Sequence, residues 1–287
     1  MAILLAVGAA FGWGASDYFG GYASRPGRPV FALVAATAAL GVLLMLAVLA
    51  ARGVPPPDNP RLLLAAVAGI AVTAELSLIY RALSLGDSFI TAPVGALGAA
   101  TAVTIGLISG DPLDLAIAAG LLLALLGGGI SAWISPTTTG TRGSSSALHS
   151  AAICIGAAVA LGTMLTCLHA AGRLDPYWAT ATEHLSTALS AGVVALIVHR
   201  RSPRRGLSLP KPPMLVLIAA VGAGGDLAYT TASHQGTLSI VSAISSLYPV
   251  TTIALGRLLQ GQGATRIQLL GVTVALFGAA LLGAAAS

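Results

Sequence analysis

The stretch TTTGTRGSSS at residues 137–146 decides how this chain is divided. Its hydroxyl-bearing residues and glycines are typical of a flexible linker rather than of a helix or a strand. It lies almost at the midpoint of the 287-residue sequence. We therefore predict two halves of similar size, residues 1–134 and 148–287, joined by a linker at 135–147.

On both sides of this linker the chain is strongly apolar. Hydrophobic residues make up 56% of the sequence, charged residues 8%, and the mean hydropathy is +0.91. This composition excludes a soluble globular protein, in which roughly a quarter of the residues are charged. Ten apolar runs can be marked, five in each half, and each is long enough to cross a hydrocarbon core of about 30 Å. The runs are 2–22, 29–51, 61–80, 88–109, 113–133, 148–171, 177–198, 213–232, 236–256 and 267–286.

Runs of this length are predicted to be helices, since the strands of membrane barrels are shorter and alternate in polarity. The prolines support the division, because nearly all of them fall in or beside the gaps between runs. The exceptions are Pro93 and Pro249, which lie within the fourth and ninth runs, where a proline bends a helix. The sequence therefore predicts an all-α integral membrane protein with ten transmembrane helices.

The two halves resemble each other in sequence. A shift of 150 or 151 residues aligns the third, fourth and fifth runs with the eighth, ninth and tenth. The matched pairs include Ala82 with Ala232, Gly86 with Gly236, Thr101 with Thr251, Gly120 with Gly271 and Gly127 with Gly278. Because five is an odd number, the second half enters the membrane from the opposite side. We thus predict two inverted five-helix repeats, an arrangement common in secondary transporters, with the substrate site between them.

Ionisable side chains inside the apolar runs are few, and such groups normally face a cavity or a partner. The acidic residues that lie well inside the runs are Asp17, Glu75, Glu183 and Asp226, and His184 adjoins Glu183. The shift places Glu75 one position from Asp226, so these two are near symmetry mates. We predict that Asp17, Glu75 and Asp226 line a pathway for substrate or protons, with Glu183 and His184 as secondary candidates. The structural alternative is that these groups only form ion pairs or cap neighbouring helices.

Aromatic residues are scarce, so their positions are informative. Trp13 and Tyr248 lie in the middle of runs, and Tyr229 lies three residues after Asp226 on the same helical face. We predict that these three aromatic residues belong to the same pathway.

Arg81, at the end of the third run, and the two prolines within runs are further secondary candidates. Arg81 is a potential partner for Asp17 or Glu75. Pro93 and Pro249 interrupt runs that correspond in the two halves, and such pairs of interrupted helices mark the binding site in many transporters.

The distribution of basic residues predicts an orientation. On the side of the N-terminus, called side A, the loops hold three of the 14 basic residues, and side B holds eleven. The positive-inside rule places side B in the cytoplasm and both termini outside.

Several other classes of protein are excluded or disfavoured by motifs that the sequence lacks. It contains no His-Glu-x-x-His zinc motif and no Gly-Lys-Ser/Thr phosphate-binding loop, so we expect no enzyme activity, metal or other cofactor. The basic residues flank membrane runs, and we therefore expect no nucleic-acid partner. Ala275, Ala279 and Gly283 form a stripe of small residues on the tenth run, which suits packing against the fifth helix or a homodimer through helices 5 and 10.

Four segments together resemble a known group of proteins, the drug/metabolite transporter superfamily, and within it the ten-helix group with two EamA-type repeats. These segments lie at residues 12–25, 80–93, 236–251 and 268–278. The resemblance implies that helices 1, 3, 4, 6, 8 and 9 surround a central cavity and that helices 5 and 10 pack outside it. It also implies cytoplasmic termini, the opposite of the charge count.

The chain departs from this group at one motif. The group often has Gly-Glu before the last helix of each repeat, whereas this chain has Gly110-Asp111 and Gly261-Gln262. The second position has lost its charge.

We expect a secondary transporter of the inner membrane that works by alternating access. Its cargo is expected to be a small metabolite, an amino acid or a drug-like solute, exported in exchange for protons. Two alternatives are a translocase for lipid-linked or polyprenyl-phosphate carriers and a membrane scaffold that transports nothing.

Overall fold

The computed structural model describes residues 1–23, 30–84, 91–131, 144–201, 209–261 and 265–285, with side chains for all of these except 80–84, 91–96 and 144–151. Within these ranges the chain forms helices and no strand. The α-helices are α1 (Ala2–Ala23), α2 (Val30–Arg52), α3 (Leu64–Ser84), α4 (Thr91–Ile108), α5 (Leu115–Ser131), α6 (Ser144–Gly172), α7 (Pro176–Arg201), α8 (Pro212–Gln235), α9 (Leu238–Ser245), α10 (Tyr248–Gln260) and α11 (Arg266–Ala285). A short 3-10 helix, Pro60–Leu63, precedes α3.

The described helices confirm the all-α membrane architecture. Eight of the described spans are long and apolar enough to cross a membrane, with Leu238–Gln260 counted as one span. Two shorter apolar helices, Leu97–Ile108 and Leu115–Ser131, accompany them. The count of ten transmembrane helices stays a prediction.

The contacts between the two halves of the chain come in matching pairs. Helix α1 packs on α8, and α6 packs on α3. Likewise α2 contacts α8 while α7 contacts α3, and α1 contacts α9 and α10 while α6 contacts α4. The remaining large interfaces, α2 with α7 and α5 with α11, join helices that occupy the same place in each half. This pattern is what two related five-helix units would give.

Glycine and alanine let these helices approach closely, as membrane helix packing requires. A Cβ atom built on Gly12 of α1 would lie 2.6 Å from the Gly225 Cα atom of α8. One built on Gly127 of α5 would lie 2.7 Å from the Ala275 Cα atom of α11. The small residue Ala275, predicted to lie at an interface, therefore packs against the fifth helix of the same chain.

The ninth run, predicted as one helix over 236–256, is interrupted. Helix α9 ends at Ser245, and α10 begins at Tyr248 with Pro249 in its first turn. The Leu247 N–H donates to the Ile244 carbonyl at 3.1 Å, a tighter turn than that of an α-helix. Because Pro249 has no N–H, it cannot continue the α-helical hydrogen-bond ladder across this break.

The first turn of α9 is capped by the loop between α4 and α5. The Asp111 Oδ2 atom accepts a hydrogen bond from the Ser239 backbone N–H at 2.7 Å. A carboxylate at this place satisfies one of the free N–H groups of the helix start. Asp111, the acidic residue of the Gly110-Asp111 motif, therefore holds the start of α9. Gln262, at the corresponding position of the second half, lies outside the described residues.

Candidate functional site

A cavity of about 660 Å³ lies inside the helix bundle. Helices α1, α2, α3, α7, α8 and α10 supply most of its lining, α6 adds two residues, and α5 and α11 add one each. Helices α2 and α7, and single residues of α5 and α11, therefore join the lining beyond the helices that the family resemblance implied, whereas no described residue of α4 belongs to it. Most of the lining is aliphatic, and the charged groups occupy two places within it.

The cavity lies in the half of the bundle nearer side B. Its lining reaches Gly20 and Gly21 at the end of α1, Val30 at the start of α2 and Gln268 at the start of α11. All of these helix ends lie on side B. Among the described residues, no position of α1 before Trp13 contributes to the lining. The cavity is therefore open toward side B and ends near the middle of the bundle.

The floor of the cavity is a cluster of four residues that we call the deep cluster: Trp13, Glu183, His184 and Asp226. The Trp13 Nε1 atom donates to Asp226 Oδ1 at 2.8 Å. The His184 Nδ1 atom lies 2.5 Å from Glu183 Oε2 and 3.7 Å from Asp226 Oδ2. Glu183, His184 and Asp226 are 3%, 6% and 9% exposed, so the deep cluster holds its charges almost away from water.

Two neighbouring residues fix the geometry of the deep cluster. Thr187, one turn after Glu183 on α7, donates from Oγ1 to Glu183 Oε1 at 2.6 Å. Gly41 of α2 lies against the His184 ring, so closely that a Cβ atom at this position would overlap it. The glycine thus provides the room that the imidazole occupies.

A second group, which we call the mouth cluster, lies closer to the opening and consists of Asp17, Glu75 and Tyr248. These three residues line the same cavity. Asp17 is exposed to the cavity and Glu75 is half-buried. The acidic residues therefore form a series that runs from an accessible mouth to a buried floor.

The other predicted site residues have different positions. Tyr229 is fully buried behind Trp13, with ring centroids 5.2 Å apart, and it does not line the cavity. Its hydroxyl group donates to the Leu165 carbonyl at 2.8 Å. Pro249 lines the cavity beside Tyr248. Pro93 lies at the start of the described part of α4, and its side chain and that of Arg81 lie outside the described residues, so both stay predictions.

The sequence pointed to the members of both clusters but ranked Glu183 and His184 below the other acidic residues. The structure brings these two together with Asp226, which lies 42 positions after His184. The spacing of Glu183 and Thr187, one turn apart, was a signal in the sequence, because it puts a hydroxyl donor on the same helical face as the carboxylate. The role of Gly41 had no comparable signal.

Side A is closed by contacts between the two halves of the chain. Arg52 forms a forked ion pair with Asp175, at 3.2 Å for the shortest pair of atoms, and its guanidinium lies 3.9 Å from the centre of the Tyr177 ring. The Trp178 indole N–H donates to the Val54 carbonyl at 3.1 Å. We call these five residues the side-A clamp.

The deep cluster is also the one group of described residues whose donor atoms could surround a metal ion. The donor atoms of Glu183, His184 and Asp226 lie within 4.8 Å of one another. In the structure Glu183 is hydrogen-bonded to Thr187 and His184, and Asp226 accepts a hydrogen bond from Trp13 through Oδ1. The arrangement can hold a proton or a cation, whether organic or metallic.

The fold is that of a polytopic membrane protein, and its acid-lined cavity ends near the middle of the bundle. A profile of the EamA-like transporter family matches residues 1–132 and 149–284, and the chain therefore belongs to this family. The family implies a membrane transporter of the drug/metabolite transporter type, and with it a multi-pass membrane protein.

Two further comparisons bear on the chain. One solved structure, described only as the crystal structure of a protein, is similar to this chain with a TM-score of 0.75 and 19% sequence identity. The match covers 99% of this chain and 98% of the chain in that structure. At this level of identity the likeness shows the fold alone. No curated protein matches the sequence.

Proposed function

We propose that the chain is a secondary active transporter of the inner membrane that exports a small metabolite, an amino acid or a drug-like solute in exchange for protons. In this proposal ten membrane helices form two inverted five-helix repeats, residues 1–134 and 148–287. The repeats rock about the cavity so that it opens to one side at a time. A homodimer through helices 5 and 10 would use the outer surfaces of α5 and α11, since their small-residue faces contact each other.

The observation that carries the proposal is a cavity of about 660 Å³ with buried carboxylates at its floor. Pockets of roughly 300–1,000 Å³ hold small organic molecules. An ionisable group in the middle of a membrane is costly and is normally kept because it binds an ion or a substrate. Both features are expected of a carrier and neither is needed by a scaffold.

Coupling to protons is supported by the position of the acidic residues. Asp17 and Glu75 lie where water from side B reaches them, and Asp226 lies at the floor between the two sides. A carboxylate at the floor can exchange a proton with whichever side is open. A proton gradient would thereby drive cargo in the opposite direction.

The proposal is tested by measuring currents from proteoliposomes adsorbed on a solid-supported membrane. The purified chain is exposed to amino acids, sugars, nucleosides, polyamines and quaternary ammonium ions, with and without a pH gradient. We expect a pH-dependent current for one class of cargo and its loss in Glu75→Gln or Asp226→Asn. The matched control is Asp58→Asn, which changes an exposed acid in the loop before α3 and should keep the current.

Two results would contradict the proposal. If Gln or Asn at Asp17, Glu75 and Asp226 together left pH-driven transport intact, proton coupling through these carboxylates would be wrong. If radiolabel counterflow as well as current were absent for every cargo class, the transporter proposal itself would fail. A lipid-linked carrier is not favoured, because the described lining contains no Lys or Arg to bind a phosphate.

A further inference from the structure

The deep cluster contains more groups that can be negatively charged than groups that can be positively charged. Glu183 and Asp226 provide two carboxylates, and His184 provides at most one positive charge. No other titratable group of the described residues faces the ring: Glu183 precedes it on α7, Asp226 comes from α8, and α2 presents Gly41. When all three groups are ionised, one negative charge is left over.

The contacts assign this extra charge to Asp226. The two oxygens of Glu183 are each bound, one by Thr187 Oγ1 at 2.6 Å and the other by His184 Nδ1 at 2.5 Å. Asp226 has one such partner, Trp13 Nε1, on its Oδ1 atom. Its Oδ2 atom lies 3.7 Å from His184 Nδ1, beyond hydrogen-bond distance, and makes no hydrogen bond to the described residues. Asp226 lines the cavity, so this oxygen is available to a bound molecule.

The surroundings of Asp226 suit an organic cation better than a metal ion. The cavity volume of about 660 Å³ greatly exceeds that of an ion, and its lining is largely aliphatic. The Trp13 side chain, whose N–H binds the carboxylate, also lines the cavity, and an ammonium group can pack on an aromatic ring of this kind. A metal ion would also have to displace the bonds that His184 and Thr187 already make to Glu183.

From these contacts we propose that His184 is the internal counter-ion of Glu183 and that the deep cluster therefore binds one monovalent organic ammonium ion at Asp226. This inference rests on the proposed function and names its cargo class. A proton and the cargo compete for the same carboxylate. When the ammonium ion binds, Asp226 releases its proton to water, so that one positive charge enters the site as one leaves it.

Removing the positive charge of His184 should change the charge that the site prefers. Without it, Glu183 and Asp226 together present two unmatched carboxylates, which favour a doubly charged ligand. A buried charge without a partner is strongly disfavoured. The site should therefore select a ligand whose charge neutralises the net charge of the deep cluster, rather than one of a particular shape. His184 is thus a specificity-determining residue, and Thr187 and Trp13 hold the two carboxylates in place.

The inference is tested by calorimetric binding to the purified full-length chain in detergent. The probes are benzyltrimethylammonium as a monovalent cation, hexamethonium as a divalent one and phenylmethanesulfonate as an anion with the same aromatic body. We expect the monovalent cation to bind more tightly than the divalent one and the anion not to bind. Titrations in two buffers of different ionisation enthalpy should show about one proton released per cation bound.

Three variants separate the roles of the residues. Asp226→Asn should weaken binding of the monovalent cation at least about tenfold, the loss expected for a charge-assisted contact. His184→Gln should shift the ratio of the two dissociation constants about tenfold toward the divalent cation, whereas His184→Lys should keep the ratio of the wild type. His234→Gln, which changes an exposed histidine on side A, is the control and should change neither.

The ratio of dissociation constants is measured within each variant, so a general loss of folded protein cannot imitate the expected shift. An unchanged ratio in His184→Gln overturns the counter-ion role. If neither ammonium probe binds the wild type, or if Mn²⁺ binds there and the ammonium probes do not, the cargo class is wrong. A chain that transports a neutral solute in proteoliposomes yet binds no ammonium probe would leave the proposed function standing and refute this inference alone.

Discussion

Gly41 shows how a residue without a side chain sets the position of a charged one. It lies on α2 against the His184 ring of α7, in the interface where the two halves of the chain meet. Any Cβ atom there would overlap the imidazole, which sits between Glu183 and Asp226. The geometry of the deep cluster therefore depends on a glycine that makes no polar contact itself.

We predict that Gly41→Ala disrupts the deep cluster. The methyl group would push His184 away from Glu183, and overpacking of this kind costs about 1–3 kcal/mol. Transport should fall and the midpoint of thermal unfolding should decrease. The matched control is Gly224→Ala on α8, where a Cβ atom would meet nothing within 4 Å, and both measurements should then stay close to the wild type. Equal effects of the two substitutions would contradict this role of Gly41.

A second residue-scale prediction concerns Trp13. In Trp13→Phe the aromatic ring beside Tyr229 is kept, but the 2.8 Å hydrogen bond to Asp226 Oδ1 is lost. Asp226 would then bind a proton or cargo without its fixed orientation, and we expect transport to weaken about ten- to 150-fold, as for one lost hydrogen bond to a charged group. Thermal stability should change little. Transport by Trp13→Phe at the wild-type rate would show that this bond does not position Asp226.

At the residue scale the sequence located the ionisable groups but not their partners. Asp17, Glu75 and Asp226 were conspicuous because each lies in an apolar run, where a charge is costly. The pairing of His184 with Glu183 and Asp226 depends on how α2, α7 and α8 cross, and that crossing depends on small residues such as Gly41. An apolar chain rich in glycine offers many such contacts, so the sequence could not single out the one that matters.

At the scale of elements, the break between α9 and α10 brings Tyr248 to the cavity. The sequence predicted a bend at Pro249 but treated the ninth run as one helix. The structure shows two helices because the proline removes a hydrogen bond and Leu247 turns more tightly. The Tyr248 side chain, at the first position of α10, faces the cavity beside Asp17 and Glu75.

We predict that Pro249→Ala makes α9 and α10 more continuous and thereby moves Tyr248. The restored N–H can bond to the Ser245 carbonyl, so the protein should be at least as stable as the wild type while transport falls. Thermal unfolding and proteoliposome transport measure the two effects. A variant that loses stability and transport together would contradict this account of the break. Pro213→Ala, in the first turn of α8, is the control, since the described residues before that helix, 209–211, are not helical and a restored N–H there has no preceding helix to continue.

The side-A clamp is the other element-scale feature that can be tested. Since it joins the two halves on the side where the cavity is closed, we predict that Arg52→Ala increases the time that the protein spends open to side A. An exposed ion pair contributes only about 0–1 kcal/mol, so the free energy of unfolding should change little. The accessibility of the cavity from side A should nevertheless increase measurably. The exchange of charges, Arg52→Asp with Asp175→Arg, should restore closure in part. No change of accessibility in Arg52→Ala would exclude the clamp as a gate.

At the scale of the whole molecule, the two halves of the chain make paired contacts, and the cavity opens on one side. Together these features support the central claim that the cavity opens alternately to the two sides of the membrane. The composition and the apolar runs predicted the all-α membrane fold directly, since little else can be built from such a chain. The direction in which the cavity opens could not be predicted, because it depends on which cross-half contacts form.

The most direct test uses a single cysteine at Thr252 in the cavity lining, with Cys154 and Cys167 replaced by alanine. The variant, in sealed vesicles of known orientation, is treated with a membrane-impermeant thiol reagent from each side in turn. The account predicts labelling from both sides, with a side-A fraction that rises in Arg52→Ala and changes when cargo is added. Labelling from one side only, whatever the cargo, pH or clamp variant, would contradict alternating access.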